Sequence, residues 1–76
     1  MNFTYSIHYL ETKIYRPEIT DYLIEYCILN SNKLKDRRRD NVWNAITRIP
    51  TSNRILKVVY KIEGKDIKIL TAYWLD

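Results

Sequence analysis

The chain has 76 residues and a formal net charge of +4, from thirteen Lys and Arg against nine Asp and Glu. This length predicts one domain, residues 1–76, with a small core. The single cysteine excludes an internal disulfide, and no stretch reaches the roughly 18 apolar residues of a membrane span. The first residues also lack the pattern of a secretory leader, so a cytoplasmic protein without membrane contact is expected.

The N-terminal part is expected to be helical. Residues 2–5 fit a short strand or a lead-in, and Ser6 is a good helix N-cap. Apolar residues then recur at helical spacing, at Ile7, Leu10 and Ile14. This pattern predicts a first helix over residues 7–15.

A second helix is predicted over residues 17–29. Pro17 suits a first helical turn, and Glu18 and Asp21 complement the helix dipole. The clearest apolar stripe in the chain follows, at Ile19, Tyr22, Leu23, Tyr26 and Cys27. Because the helix neighbours of Cys27 are apolar, we expect a small buried residue whose thiol pKa is raised.

The C-terminal half is expected to form β-structure. The charge-rich residues 33–40 fit a loop or the start of an edge strand, and residues 50–53 fit a turn. β-Branched and aromatic residues predict three strands, at residues 42–49, 54–62 and 67–75. The only glycine, Gly64, predicts a tight hairpin between the last two strands.

Pairing across a two-residue Gly64-Lys65 loop predicts the two faces of this hairpin. Four pairs then share an apolar face that packs on the helices: Ile62 with Ile67, Tyr60 with Ile69, Val58 with Thr71, and Leu56 with Tyr73. The opposite face carries Ile55, Lys57, Val59, Lys61, Lys68, Leu70, Ala72 and Trp74. The expected fold class is α+β, with two N-terminal helices packed on a three- to four-stranded antiparallel sheet.

Two basic groups are candidate RNA-binding sites. Lys57, Lys61 and Lys68 share a predicted face with Trp74, so they can hold phosphates while the ring stacks on a base. Three successive arginines, Arg37, Arg38 and Arg39, can grip a phosphate backbone. The alternatives are a solvated sheet face and a solvated loop.

Other chemistry has little support in the sequence. His8 is the only histidine and the natural general base of a ribonuclease, although a lone histidine is more often a surface residue. One histidine and one cysteine cannot build a closed zinc site, and the glycine-rich motifs of nucleotide-binding folds are absent. We therefore expect no metal and no cofactor.

Two segments resemble a known group of small proteins. "SIHYLETKIYRPEITDYLIEYCI" resembles the opening of BrnT-like toxins and of a neighbouring uncharacterised domain family, and "RILKVVYKIEGKDIKILTAYWLD" resembles their closing hairpin. The resemblance implies a RelE-superfamily-like fold, RNA cleavage and a cognate antitoxin protein as partner. By motif position, it implies catalytic roles for His8, Lys57 and Tyr73, and an RNA-binding role for Arg16. The segment "LETKIY" departs from the family pattern, because it contains only Lys13 where further arginines are usual.

Three functions therefore stay open. The first is a metal-independent endoribonuclease of a toxin–antitoxin system. The second is a non-catalytic module that binds RNA or a protein. The third is an interaction or oligomer-forming domain that uses the apolar residues of the lysine-bearing face, Ile55, Val59, Leu70 and Trp74. The sequence does not fix the oligomeric state.

Overall fold

The structure, a computed structural model, describes residues 2–76 apart from the side chain of Thr12. The strands are β1 (Asn2–Tyr5), β2 (Leu34–Lys35), β3 (Val42–Ile49), β4 (Arg54–Glu63) and β5 (Asp66–Trp74). The helices are α1 (Ile7–Lys13) and α2 (Asp21–Leu29), and both lie between β1 and β2 in the chain. Among the described residues, neither helix is long and apolar enough to cross a membrane.

The sheet has five strands in the order β1-β5-β4-β3-β2, and β1 runs parallel to β5. The predicted three- to four-stranded antiparallel sheet is therefore wrong, because the sheet is mixed. Parallel pairing requires a long crossover, which both helices and three strands provide here. The pairing lets Phe3 and Tyr5 pack against the core beside Ile67 and Ile69.

Hydrogen bonds set where the helices begin. The Tyr9 backbone N–H donates to Ser6 Oγ at 3.1 Å, so the predicted cap of α1 is confirmed. The Leu23 N–H donates to Thr20 Oγ1 at 3.3 Å, which makes Thr20 the cap of α2. The predicted start at residue 17 is wrong. The helix begins after Thr20 because the hydroxyl oxygen of Thr20 accepts a backbone N–H of the first turn, whereas the side chain of Pro17 has no oxygen that could accept one.

The buried helix faces also differ from the predicted stripes. In α1 the buried residue is Tyr9, and the stripe at Ile7, Leu10 and Ile14 is exposed. In α2 the buried residues are Ile24, Cys27 and Ile28, whereas Tyr22 is exposed. Because α2 is apolar around most of its circumference, periodicity alone cannot select the side that meets the sheet.

The core lies between the helices and one face of the sheet. Its fully buried side chains include Leu56, Val58 and Tyr60 of β4 together with Ile24 and Cys27 of α2. Burial of each large apolar side chain contributes roughly 1.5–3 kcal/mol. Adjacent residues of β4 lie on opposite faces of the sheet, since side chains alternate between this covered face and the other one.

The Gly64 hairpin provides a test of the local prediction. Gly64 has a φ of +62°, and an added Cβ would meet nothing within 4 Å. We expect Gly64→Ala to lower the free energy of unfolding by about 1–2 kcal/mol, because only the left-handed backbone opposes it. Urea denaturation measures this loss. Gly64→Asn is the control and should lose less, since asparagine tolerates this conformation; equal losses would contradict the explanation.

Candidate nucleic-acid interface

A β-bulge in β5 determines which side chains reach the surface. Tyr60 pairs with Ile69, but its neighbour Val59 pairs with Thr71, so Leu70 is an extra residue without a partner on β4. Such a residue moves all later side chains to the opposite face from the one that strict alternation predicts. The two predicted pairs before the bulge, Ile62 with Ile67 and Tyr60 with Ile69, are confirmed. The two pairs after it are wrong, since Val58 pairs with Ala72 and Leu56 with Trp74.

The bulge exchanges the positions predicted for Tyr73 and Trp74. Trp74 lies on the helix side, where its Nε1 donates to Glu18 Oε1 at 3.3 Å. The Arg54 guanidinium carbon lies 4.2 Å from the centre of the Trp74 ring. Tyr73 instead pairs with Lys57, whose Nζ lies 5.7 Å from the centre of the tyrosine ring. The aromatic residue that accompanies the lysines is therefore Tyr73.

The face that carries Tyr73 has no helix on it, and we call it the open face. Its basic residues are Arg48, Lys57, Lys61 and Lys68, and Lys61 lies directly opposite Lys68. Val59 also belongs to this face, yet it is only 5 % exposed. It lies between Lys57 and Lys61 along β4, and long lysine stems are well suited to cover such a residue.

The charges of the open face are only partly compensated. Its carboxylates, Glu63 and Asp66, lie together at the hairpin end, and Glu63 Oε2 is 4.0 Å from Lys61 Nζ. Lys57 and Lys68 form no ion pair with any residue that the structure describes. The result is a face on which the four basic residues outnumber the two carboxylates.

The three arginines lie in the loop that joins β2 to β3. Asp36 Oδ1 accepts the backbone N–H groups of Arg38 at 2.8 Å and Arg39 at 3.1 Å. The hydrogen bond from the Arg38 N–H is the main cause that lowers the pKa of Asp36, and Arg39 adds to the effect. Arg39 also forms an ion pair with Asp36, at 3.3 Å.

The loop places unpaired positive charge at one end of the sheet. Among residues 2–76, no described carboxylate forms an ion pair with Arg37 or Arg38, and both residues are exposed. The loop ends just before Val42, which pairs with Lys61. The predicted basic loop and the predicted lysine face therefore meet at the same end of the sheet.

The remaining candidates lie on the helix side. His8 is exposed on α1, which packs on the covered face of β5, so the sheet separates it from Lys57 and Tyr73. Arg16 donates from Nη1 to the Ala72 carbonyl at 3.3 Å. Because β1 ends opposite Ile69, this bond covers a part of the β5 edge that no strand reaches. The structure thus brings together only two of the three predicted catalytic residues.

Cys27 and Tyr60 are titratable groups buried between α2 and the sheet. Cys27 is buried as predicted, and its Sγ is 3.4 Å from the Ala45 carbonyl oxygen. Burial raises the pKa of its thiol from 9.0 to about 11. Burial also raises the pKa of Tyr60, whose Oη has no hydrogen-bond partner among the described residues. Neither group reaches the open face.

The comparison with known proteins leaves the family open. No protein-family profile, curated protein or solved structure matches this chain. The resemblance to BrnT-like toxins and the RelE superfamily therefore stays a prediction. Any function must rest on the geometry of the chain itself.

The pKa of Cys27 predicts how stability depends on pH. Because the pKa is higher in the folded chain, the neutral thiol favours folding below about pH 9, and this contribution is lost as the pH rises towards 11. In urea titrations we expect the wild-type chain to lose roughly 2–3 kcal/mol more over this range than Cys27→Ala. Tyr5 and Tyr9 also have raised pKa values, but Cys27 is not among the causes, so they contribute equally to both proteins. The pKa of Tyr60 is raised mainly by burial and secondarily by Cys27, so its contribution is somewhat smaller in Cys27→Ala and adds to the expected difference. Parallel curves for the two proteins would contradict the expectation.

Proposed function

We propose that this chain binds single-stranded RNA through the open face of its sheet. The observation that carries the proposal is the helix-free surface with Arg48, Lys57, Lys61 and Lys68 and with acids only at one end. A sheet normally buries one face and leaves the other to water, so a basic excess there favours an anionic partner. The charge pattern of this face supports a polymer better than a small anion.

The spacing of the lysines is the reason for preferring a polymer. Lys57 and Lys61 are four residues apart on one strand, which corresponds to about 13 Å. A single phosphate cannot contact both, whereas successive phosphates of a nucleic-acid strand can. Arg37 and Arg38 add positive charge at the end of the sheet that also carries Glu63 and Asp66, because their loop ends just before Val42, which pairs with Lys61.

Tyr73 supports a single strand with accessible bases. Its ring is half-buried beside Lys57, so part of the ring remains accessible to a base. Stacking of a base on such a ring contributes roughly 1–3 kcal/mol, and it requires a base that is not held in a duplex. In this proposal Tyr73 takes the role that the sequence predicts for Trp74.

The salt dependence of RNA binding tests the proposal. In fluorescence anisotropy with a labelled single-stranded RNA, Lys68→Ala should weaken binding and reduce the slope of log K against log salt by about 0.7, since one phosphate contact is lost. Lys13→Ala is the control, because it removes the same charge from the helix side, where Lys13 pairs with Asp21 at 3.1 Å. Equal weakening by both variants, or an affinity independent of salt, would reject the open face as the binding site.

RNA cleavage is a second candidate, which only the Lys57–Tyr73 pair favours. Lys57 is positioned to stabilise the charge that develops on a phosphate during cleavage, and such stabilisation can supply much of the rate. The Tyr73 hydroxyl would hydrogen-bond to the reacting oxygens. His8 takes no part in this candidate, because it lies on the other side of the sheet. A toxin of this kind would need an antitoxin protein as its partner.

Expression in cells separates cleavage from binding. If the chain cleaves RNA, induction should arrest growth and fragment cellular RNA, and Tyr73→Phe should abolish both effects while RNA affinity is retained, since the ring remains. His8→Ala should remain active. Intact RNA and normal growth with the wild-type chain would reject cleavage, and the anisotropy measurement would then decide on binding alone.

A further inference from the structure

The outer surfaces of the two helices carry matching patterns. On α1 and the turn after it, Ile7 and Ile14 are 75 % and 78 % exposed, and Glu11 lies between them. On α2, Tyr22 and Leu29 are 74 % and 70 % exposed, with the half-buried Glu25 between them. Residues three or four positions apart lie on the same helix face, so each helix presents an apolar–acidic–apolar row. We call these two rows together the outer stripe: Ile7, Glu11, Ile14, Tyr22, Glu25 and Leu29.

The acids of the outer stripe have no cation nearby to neutralise them. Within the described part of the chain, neither Glu11 nor Glu25 forms an ion pair. The only two cations before residue 31 are engaged elsewhere, Lys13 with Asp21 and Arg16 with the Ala72 carbonyl. The negative charge of the stripe is therefore free to meet a positive partner.

Charge is also segregated along the whole chain. Residues 1–30 contain two basic and four acidic residues, a net charge of −2, whereas residues 31–76 contain eleven basic and five acidic residues, a net charge of +6. The segment that contains both helices is thus acidic, although the whole chain is basic. Phosphate groups and anionic lipids are poor partners for the outer stripe, since like charges repel.

We propose that the outer stripe is a docking surface for a basic amphipathic segment of a partner protein. Its apolar residues would cover Ile7, Ile14, Tyr22 and Leu29, and its Lys or Arg side chains would pair with Glu11 and Glu25. Four large apolar side chains exposed on two helices that the Lys13–Asp21 ion pair links favour an interaction site. The apolar surface continues past Tyr22 into a small groove lined by Tyr22, Leu23, Tyr26, Ile49, Pro50 and Thr51.

A second copy of the chain is a poorer occupant. A two-fold dimer through this surface would place the same patch on both sides of the interface. Glu11 and Glu25 of one copy would then face the carboxylates of the other, with no cation of the stripe between them. The charge pattern therefore favours a different protein, and one that is basic where it touches the stripe.

Two matched peptides test the proposal on the whole chain. One is an amphipathic leucine–lysine peptide of about four helical turns, and the other has the same leucines with glutamate in place of lysine. In anisotropy titrations, we expect the lysine peptide to bind at least about tenfold more tightly than the glutamate peptide. The double variant Ile7→Ser/Ile14→Ser should lose about tenfold in affinity for the lysine peptide.

Control variants distinguish binding at the outer stripe from binding at the open face and from a loss of stability. Leu34→Ser removes an apolar side chain that is 51 % exposed but lies on β2, and it should bind the lysine peptide as the wild-type chain does. Glu11→Gln/Glu25→Gln should weaken binding of the lysine peptide without changing apolar area. Equal binding of the two peptides, or equal effects of Leu34→Ser and the isoleucine variant, would overturn the proposal. Concentration-dependent self-association that Ile7→Ser/Ile14→Ser abolishes would assign the surface to a second copy and would also overturn it.

Discussion

The contacts of Ser6 with β5 fix the arrangement on which both faces of the sheet depend. Its backbone N–H donates to the Ile69 carbonyl at 2.9 Å, and its hydroxyl donates to the Leu70 carbonyl at 3.2 Å. The same hydroxyl oxygen accepts the Tyr9 N–H as the cap of α1. Ser6 therefore follows the last residue of β1, caps α1 and donates a hydrogen bond to the carbonyl of the bulged Leu70. Without a donor at this point, the Leu70 carbonyl would lose its partner at a partly buried position, which carries a cost of about 1–3 kcal/mol.

The bulge explains why two adjacent aromatic residues have different roles. After Leu70, Trp74 belongs to the covered side, where Glu18 and Arg54 hold its ring near the chain end. Tyr73 belongs to the open face beside Lys57. A β5 without the bulge would exchange the two, and the larger ring would accompany the lysines. One extra residue in β5, Leu70, thus determines which aromatic side chain lies on the open face.

Short-range features of this fold could be predicted from the sequence, and long-range ones could not. The Gly64 turn, the Ser6 cap and the burial of Cys27 depend on residues within one or two turns, so local rules suffice. The parallel pairing of β1 joins residues 64 positions apart, and the Ser6 hydroxyl that donates to the carbonyl of the bulged Leu70 is equally distant in the chain. The signal that could have indicated α2 correctly was Thr20 before Asp21, a common cap and first-turn pair.

The candidate site was predicted in part for the same reason. Lys57 and Lys61 share a face because side chains alternate regularly along β4, and Lys68 joins them because it lies before the bulge in β5. Tyr73 and Trp74 lie after it, and strict alternation assigns each to the wrong side. The exposure of the apolar stripe of α1 could not be predicted, because apolar residues at helical spacing usually form the buried face of a helix. Only the position of Tyr9 against the core shows that α1 is turned the other way.

The open face is basic and the helix-bearing segment on the other side of the sheet is acidic, and the two surfaces can act independently. The outer helix surface and the open face are separated by the helix layer and the sheet, and the Debye length at physiological ionic strength is only about 8 Å. Glu11 and Glu25 on the outer helix surface therefore do little to cancel the field of Lys57 and Lys68 on the open face. The net charge of +4 consequently understates both surfaces, since it averages a basic face with an acidic one. An anionic polymer on the open face and a basic protein segment on the helices would not compete for the same residues. Each would meet a surface of the opposite sign, and both could occupy the chain at once.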